Sequence, residues 1–386
     1  MAYNLKMVHV IVDWNCFQKG GIYRYFAEIL PRIANHPDVE LHILGNASGV
    51  LAPPTASQTQ HLERVTPSAS WFPDGKLKRF LSAIRQDIDK YYWRKQIQTT
   101  PGSVYHPTHY QASSFPKLPQ VLTIHDMIPE LYPQFSVGGV FDELRRDKKR
   151  VLPSASRIVT NSLTTKLDLC TFYDVDPEKV DVTPLGVAYG FFSTQVEKTE
   201  WQLLQEKHRI GDEPFFLYVG GRLQYKNFGA WLGAYATSPL REKIRVLVAG
   251  APFDSQEKQL LQSLKISERI TLIESPSQEE LRVLFQKAHT FVYPSLYEGF
   301  GLPILEAMSG GTPVLTSDRG AMPEVGGNAA LYFNPLDRDS MHAGMEAAFD
   351  DEKRARCRAL GPVRAQQFTW DATAGLTIEA YRKAVA

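Results

Sequence analysis

Short runs of β-branched and aromatic residues alternate along the chain with longer stretches whose apolar positions recur every three or four residues. In the first half, Met7–Val12, Val39–Leu44, Ser103–Tyr105, Gln120–Ile124 and Arg157–Thr160 predict strands. Between them, Ile22–Asn35, Leu77–Gln98, Val140–Leu152 and Leu163–Phe172 predict helices. The second half repeats the alternation. Phe215–Val219, Arg245–Ala249, Ile270–Ile273, Thr290–Tyr293, Pro313–Thr316 and Ala330–Phe333 predict strands, with helices at Asn227–Ala236, Gln256–Leu264, Gln278–Lys287 and Pro303–Ser309. Strands this apolar, each followed by a helix, form parallel sheets covered on both faces. The expected fold class is therefore α/β, with two doubly wound Rossmann-like domains facing across a cleft.

The halves divide in a glycine- and aromatic-rich stretch at Gly186–Phe192 and a charged stretch at Val196–Arg209. We expect domains at 1–190 and 200–367. Thr369 reads as a helix N-cap, and Trp370, Leu376, Ile378 and Tyr381 as apolar positions of a final helix. That helix, within 368–386, lies beyond the last strand and is expected to return to the first domain.

Composition narrows the functions. Among 386 residues, 43% are hydrophobic and 22% charged, as in folded globular proteins. Lys+Arg is 43 against Asp+Glu 42, a balance unsuited to neutralising many phosphates, so no nucleic-acid partner is expected. Cys16, Cys170 and Cys357 have no metal-ligand spacing and suggest a reducing compartment, so a cytoplasmic location is expected. No apolar run approaches the roughly 20 residues of a membrane span. Met7–Val12 is too short for the core of a secretory signal.

Two loops carry candidate chemistry. In Tyr293-Pro-Ser-Leu-Tyr-Glu298-Gly-Phe-Gly-Leu-Pro303-Ile-Leu-Glu306, a strand ends, a glycine loop follows and a proline opens a helix. Gly299 and Gly301 allow close backbone approach. Free amides at the start of the new helix, with its dipole, favour an anion such as a diphosphate. Glu298 and Glu306 can accept hydrogen bonds from different parts of one ligand. Taken alone, this segment fits an ordinary strand–turn–helix equally well. The second loop, Tyr218-Val-Gly-Gly221-Arg222-Leu-Gln-Tyr-Lys226-Asn227, places two cations after another strand. Arg222 offers a fork to phosphate oxygens and Lys226 a point charge, enough to stabilise a departing pyrophosphate without a metal.

Together these segments resemble the retaining glycosyltransferases of family 4, which have the GT-B fold. Glu298 and Glu306 match the family's Glu, seven residues, Glu; Arg222 and Lys226 match its phosphate-binding pair, one residue closer than the commonest form. Gly20-Gly21-Ile-Tyr-Arg24-Tyr, His125-Asp-Met-Ile-Pro-Glu130, Pro313-Val-Leu-Thr-Ser and Pro323-Glu-Val-Gly-Gly extend the likeness over nearly the whole chain. The mannosyltransferase-like branch matches best around Tyr225-Lys-Asn and His125-Asp-Met-Ile-Pro-Glu.

The resemblance implies that Gly20 and Gly21 approach the diphosphate and sugar, and that His125 contacts the donor sugar through a hydroxyl interaction or its backbone. Arg222 and Lys226 would hold the diphosphate, Glu298 the transferred sugar and Glu306 the ribose, while the amides of Phe300, Gly301 and Leu302 would contact sugar or phosphate. The base would lie near Ile273, Glu274 and Ser275. It implies no cofactor and no metal. The substrate would be a nucleotide-diphosphate sugar, a GDP-sugar such as GDP-mannose first and a UDP- or dTDP-sugar next. The acceptor would be a glycan or lipid-linked acceptor. A nucleotide-sugar epimerase of the same fold and a non-catalytic nucleotide-sugar sensor are the competing readings.

Two features stand apart. Asp87-Ile-Asp89 and Asp174-Val-Asp176 mimic a metal-binding Asp-x-Asp. The first pair sits in a helical pattern that points the side chains about 200° apart, and the second in a turn where aspartates are frequent. Lys76–Lys95, rich in lysine and arginine with interleaved Phe80, Ile84, Ile88 and Trp93, fits a helix with a solvated basic face. It would also suit peripheral contact with the inner face of a membrane. The oligomeric state is not legible in the sequence.

Overall fold

The computed structural model describes residues 7–14, 20–44, 100–113 and 115–386. Its two parallel sheets each have six strands. The first contains β1 (Val8–Asp13), β2 (Val39–Leu44), β3 (Ser103–Pro107), β4 (Gln120–Ile124), β5 (Ala155–Thr160) and β6 (Val180–Val182), in the order β2-β1-β3-β4-β5-β6. The second contains β7 (Phe215–Val219), β8 (Arg245–Gly250), β9 (Ile270–Glu274), β10 (Thr290–Tyr293), β11 (Val314–Ser317) and β12 (Ala330–Phe333), in the order β12-β11-β10-β7-β8-β9.

The second order is that of dinucleotide-binding folds, and it reverses between β7 and β10. Those neighbours pair Thr290 with Phe216 and Phe291 with Leu217. Loops leaving their carboxyl ends run in opposite directions and open a crevice, so the segments after Val219 and Tyr293 meet although about seventy residues separate them.

Apart from the edge strands β6 and β9, the strands are largely buried because helices cover both faces. Val10, Val12, Val39 and Leu41 pack against Phe26, Ile29, Leu30 and Ile33 of the helix Gly21–Ala34. In the second sheet, Phe216, Tyr218, Val246 and Val248 pack against Phe228, Trp231 and Tyr235 of the helix Phe228–Thr237.

The final helix, Trp370–Val385, returns to the first sheet as expected. Thr369 caps it by accepting from the Ala372 amide, and Trp370, Ile378 and Tyr381 are buried. Thr373 donates to the Pro184 carbonyl, and the Tyr381 hydroxyl lies 2.7 Å from Nδ1 of His106 on β3. Leu376, the remaining apolar position, faces solvent.

Other differences have local causes. The charged stretch at Val196–Arg209 contains a helix, Lys198–His208, begun by a Glu197/Glu200 capping box and seated by buried Leu204 and by Trp201 stacked on Phe215. Its few apolar anchors are masked in the sequence by charges. The helix Tyr189–Ser193 packs on the second domain's helix Leu302–Ser309, so the boundary expected at 190 falls inside an element of the crossing segment. The helices Arg338–Ala347 and Asp351–Ala365, absent from the sequence reading, complete the second domain. Strand β6 is a three-residue edge, too short for a period-two signal. The helix expected at Leu77–Gln98 and the basic stretch Lys76–Lys95, including Asp87 and Asp89, lie outside the described residues.

Candidate active site

The carboxyl ends of the two sheets approach one another, and the predicted residues gather there. Lys226 closes a short 3-10 turn after β7, and Glu298 follows β10. Lys226 Nζ lies 2.6 Å from Glu298 Oε1 and 3.4 Å from the Tyr293 hydroxyl. Ser295 Oγ donates to the same Glu298 oxygen at 2.6 Å. Burial, the largest single influence, pushes the Lys226 pKa down; the Glu298 carboxylate together with the Tyr293 and Tyr225 hydroxyls outweighs it and holds the ammonium well above its ordinary value. Lys226 is therefore charged at neutral pH.

Arg222 lies in the same loop. Its Nε and Nη2 grip the Glu257 carboxylate at 2.5 and 3.1 Å, and Nη2 also donates to the Ala251 and Pro252 carbonyls. Its guanidinium carbon sits 4.8 Å from the centre of the Phe253 ring. The remaining nitrogen, Nη1, is buried and has no hydrogen-bond partner among the described residues. A buried guanidinium N–H without an acceptor is costly and marks a place for an oxyanion. Burial raises the Tyr218 pKa, and Lys226, Glu298 and Arg222 each influence that hydroxyl.

The Gly299-Phe300-Gly301 loop has two tight requirements. A Cβ on Gly299 would stand 1.9 Å from the His125 carbonyl oxygen, so only glycine lets the two domains touch there. Gly301 has φ +111°, a backbone region other residues rarely adopt, and it caps the helix Leu302–Ser309. Pro303 lies in that helix's first turn, as the sequence suggests. Among the described residues, nothing accepts from the amides of Phe300, Gly301 or Leu302.

His125 follows β4, and its Nδ1 is 3.2 Å from Asn161 Nδ2. Burial, helped by His109 and Lys148, lowers its pKa to about 3, so the ring is neutral at physiological pH. The turn it heads is held from behind. Lys148, 1% exposed, donates to the Asp126 carbonyl at 2.9 Å and pairs with buried Glu130 at 2.9 Å; Tyr173 donates to the other Glu130 oxygen at 2.6 Å.

Glu306, on the first helix beyond the glycine loop, is buried and bound by Arg24 of the helix Gly21–Ala34 at 2.6 Å. Gly20 and Gly21 open that helix, so the first domain's glycine pair and the second domain's Glu306 share one side of the cleft. Further contacts join the domains. Glu324 accepts from the Leu163 and Thr164 amides at the start of the helix Leu163–Tyr173, and Tyr297 donates to Asp168 at 2.7 Å. Thr165 Oγ1 is 3.4 Å from the Gly299 carbonyl.

The segment at Ile273, Glu274 and Ser275 ends β9, an edge strand one removed from β7. The Ile273 side chain is wholly inside the core, so it offers a ligand only backbone. Gly221 contributes a carbonyl to the Tyr218 hydroxyl at 2.6 Å. Asp176 accepts from the Glu178 amide in its turn, and Asp174 ends a helix at φ +51°.

Sequence reasoning missed Glu257, Asn161, Ser295 and the Lys148–Glu130 pair, and saw Arg24 only as part of a motif. Glu257 had a signal. Asp254-Ser-Gln-Glu257 is a capping box, realised here as Asp254 accepting from the Glu257 amide, and it places Glu257 just beyond β8, the neighbour of β7.

Residues 19–189 match the family described as Glycosyltransferase Family 4, and residues 200–362 match Glycosyl transferases group 1. The chain is 29% identical over 379 residues to O-antigen chain mannosyltransferase B of Escherichia coli, covering 94% of this chain and 96% of that relative. Sucrose-phosphate synthase of Thermosynechococcus elongatus superposes with a TM-score of 0.70 at 19% identity, over 97% of this chain and 98% of its own. Anabaena HepE, solved in complex with UDP and glucose, superposes with a TM-score of 0.70 at 14% identity, over 96% and 98%. Two parallel-sheet domains meeting at their carboxyl ends, matched in both halves, make this chain a member of glycosyltransferase family 4 with the GT-B fold, of the mannosyltransferase-like kind.

Proposed function

We propose that this protein is a retaining, metal-independent hexosyltransferase. It moves a sugar from a nucleotide-diphosphate donor, GDP-mannose foremost and UDP- or dTDP-sugars next, to a hydroxyl of a glycan or lipid-linked acceptor in surface-polysaccharide synthesis. The observation that carries the reading is the Lys226–Glu298 pair at the reversal point of the second sheet, beside the buried, unpartnered Nη1 of Arg222. The relationship to an O-antigen mannosyltransferase supports the choice of sugar and acceptor class.

In this reading the diphosphate accepts from Arg222 Nη1, Lys226 and the free amides of the glycine loop. As the bond from the sugar's anomeric carbon to the phosphate oxygen breaks, its electron pair goes to that oxygen, where these donors stabilise the charge. The acceptor oxygen attacks the same face, forms the new glycosidic bond and gives its proton to the leaving phosphate oxygen. Glu298 hydrogen-bonds the sugar, and the His125 carbonyl, held against Gly299, faces the positive charge developing on the ring. A neutral imidazole adds no opposing charge there. Glu306 takes the ribose hydroxyls. The protein contributes position and prearranged dipoles rather than a strong base.

The action is placed on the cytoplasmic side, near the membrane that carries lipid-linked acceptors. No helix among the described residues is long and apolar enough to cross a membrane. The test is a thermal-shift screen of GDP, UDP, dTDP, ADP and CMP, followed by transfer assays with the matching sugar nucleotides in excess EDTA and NMR of the product's anomeric configuration. A product of the same configuration as the donor, formed at full rate in EDTA, is expected. An inverted product, or activity that needs added magnesium or manganese, overturns the reading. An epimerase would instead change the donor sugar with no acceptor present.

A further inference from the structure

Away from the cleft, three metal-ligating side chains meet on the first sheet. His9 lies on β1; Glu40 and His42 lie on β2, the edge strand. The parallel register sets His9 opposite Glu40 and Ile11 opposite His42. Side chains two apart on a strand share a face, so all three project from the face that also carries Ile11 and Leu44.

We propose that His9, Glu40 and His42 bind a divalent transition-metal ion, zinc foremost. His9 Nδ1 is 3.0 Å from one Glu40 oxygen, and His42 Nε2 is 3.6 Å from the other. One ligand atom from each residue falls within 4.8 Å of the others. A tetrahedral ion about 2.1 Å from each ligand holds those ligands about 3.4 Å apart, and each imidazole stands near that distance from one of the two Glu40 oxygens. The imidazole rings are nearly parallel, 16° apart with centroids at 6.0 Å. Two imidazoles and one carboxylate suit zinc, cobalt or nickel rather than the all-oxygen shells of magnesium and calcium. The His9 and Glu40 side chains are 20% and 29% exposed, which gives the ion an entry path, while His42 is buried beneath them.

The site sits toward the amino-terminal half of β1, whereas the cleft lies at the strands' carboxyl ends. The ion therefore takes no part in sugar transfer. It ties the edge strand β2 to its neighbour, and its binding stabilises the fold by mass action.

The test uses the full, untagged chain, stripped with chelator and dialysed. Zinc is titrated by calorimetry, and cobalt is followed by its visible absorption, with no donor or acceptor present. This keeps the outcome separate from that of the proposed reaction. One equivalent is expected to bind and to raise the melting temperature. Glu40→Gln and His9→Asn, changes at partly exposed positions, are expected to weaken binding at least tenfold, as is His42→Ala. Absence of saturable binding by the stripped chain overturns the proposal. So does binding that Glu40→Gln and His9→Asn leave unchanged, since the ion then lies elsewhere.

Discussion

Arg24 Nη1 lies 2.6 Å from Glu306 Oε1, joining residues 282 apart in the chain across the domain cleft. Glu306 is nearly buried and Arg24 only partly so, and each is carried on a helix of its own domain. A hydrogen bond to a charged group contributes about 1.5–3 kcal/mol. If Glu306 holds the donor ribose, Arg24 tunes how tightly it does so and ties that carboxylate to domain closure. Arg24→Ala is expected to weaken donor-nucleotide binding about tenfold, one decade being about 1.4 kcal/mol. Calorimetric titration of wild type and variant with the nucleotide that gives the largest thermal shift checks this; equal affinities would count against the coupling.

Arg222 and Glu257 form a second pair with separable roles. If Arg222 donates to the leaving diphosphate as proposed, Arg222→Ala is expected to lower kcat by about 10²–10³. Glu257→Gln keeps the shape but not the charge that orients the guanidinium, so a smaller loss is expected, with Arg222 still present. Single-turnover rates of the two variants test the order. A Glu257→Gln loss as large as that of Arg222→Ala contradicts it.

The buried Lys148–Glu130 pair fixes the His125 turn. Lys148→Met leaves a buried carboxylate with only the Tyr173 hydroxyl, and about 3–5 kcal/mol of stability should be lost. Lys148→Met combined with Glu130→Leu removes both charges and should recover much of that loss. Urea unfolding of the single and double variants decides it, the prediction failing if the double variant is the less stable.

His106 gives a pH signature. Fully buried between the Tyr381 hydroxyl and Thr123 Oγ1, it has its pKa lowered to about 3 by burial. The unfolded chain, with an ordinary value near 6.5, binds the proton more readily. Its contribution is therefore fully present above pH 6.5 and is lost as pH falls toward 3, at about 1.4 kcal/mol per pH unit. Denaturant unfolding at intervals between pH 4 and 7 should show His106→Asn with a shallower dependence than wild type. Parallel slopes in the two proteins refute the assignment.

Much of the architecture was legible because its signals are local. Apolar runs such as Phe215–Val219 and Gln120–Ile124 can be satisfied only inside a covered parallel sheet, and turn glycines and caps such as Thr369 mark where elements begin. The residue types at the site were legible for the same reason: Gly299, Gly301 and Pro303 declare a strand–loop–helix, and Arg222 and Lys226 stand out after an apolar strand. The helix Lys198–His208 escaped notice because its buried side is narrow, and its charges dominate the pattern.

Partners were a different matter. That Lys226 meets Glu298, that Arg222 is held by Glu257 and that Arg24 reaches Glu306 follow from strand order, above all the reversal between β7 and β10. A run of sequence specifies which face of an element is apolar, since that depends on neighbours three or four residues away. It does not specify which distant carboxylate will stand within 3 Å of a given cation. That choice is made when helices close over both faces of each sheet and bring loop ends hundreds of residues apart into one cleft.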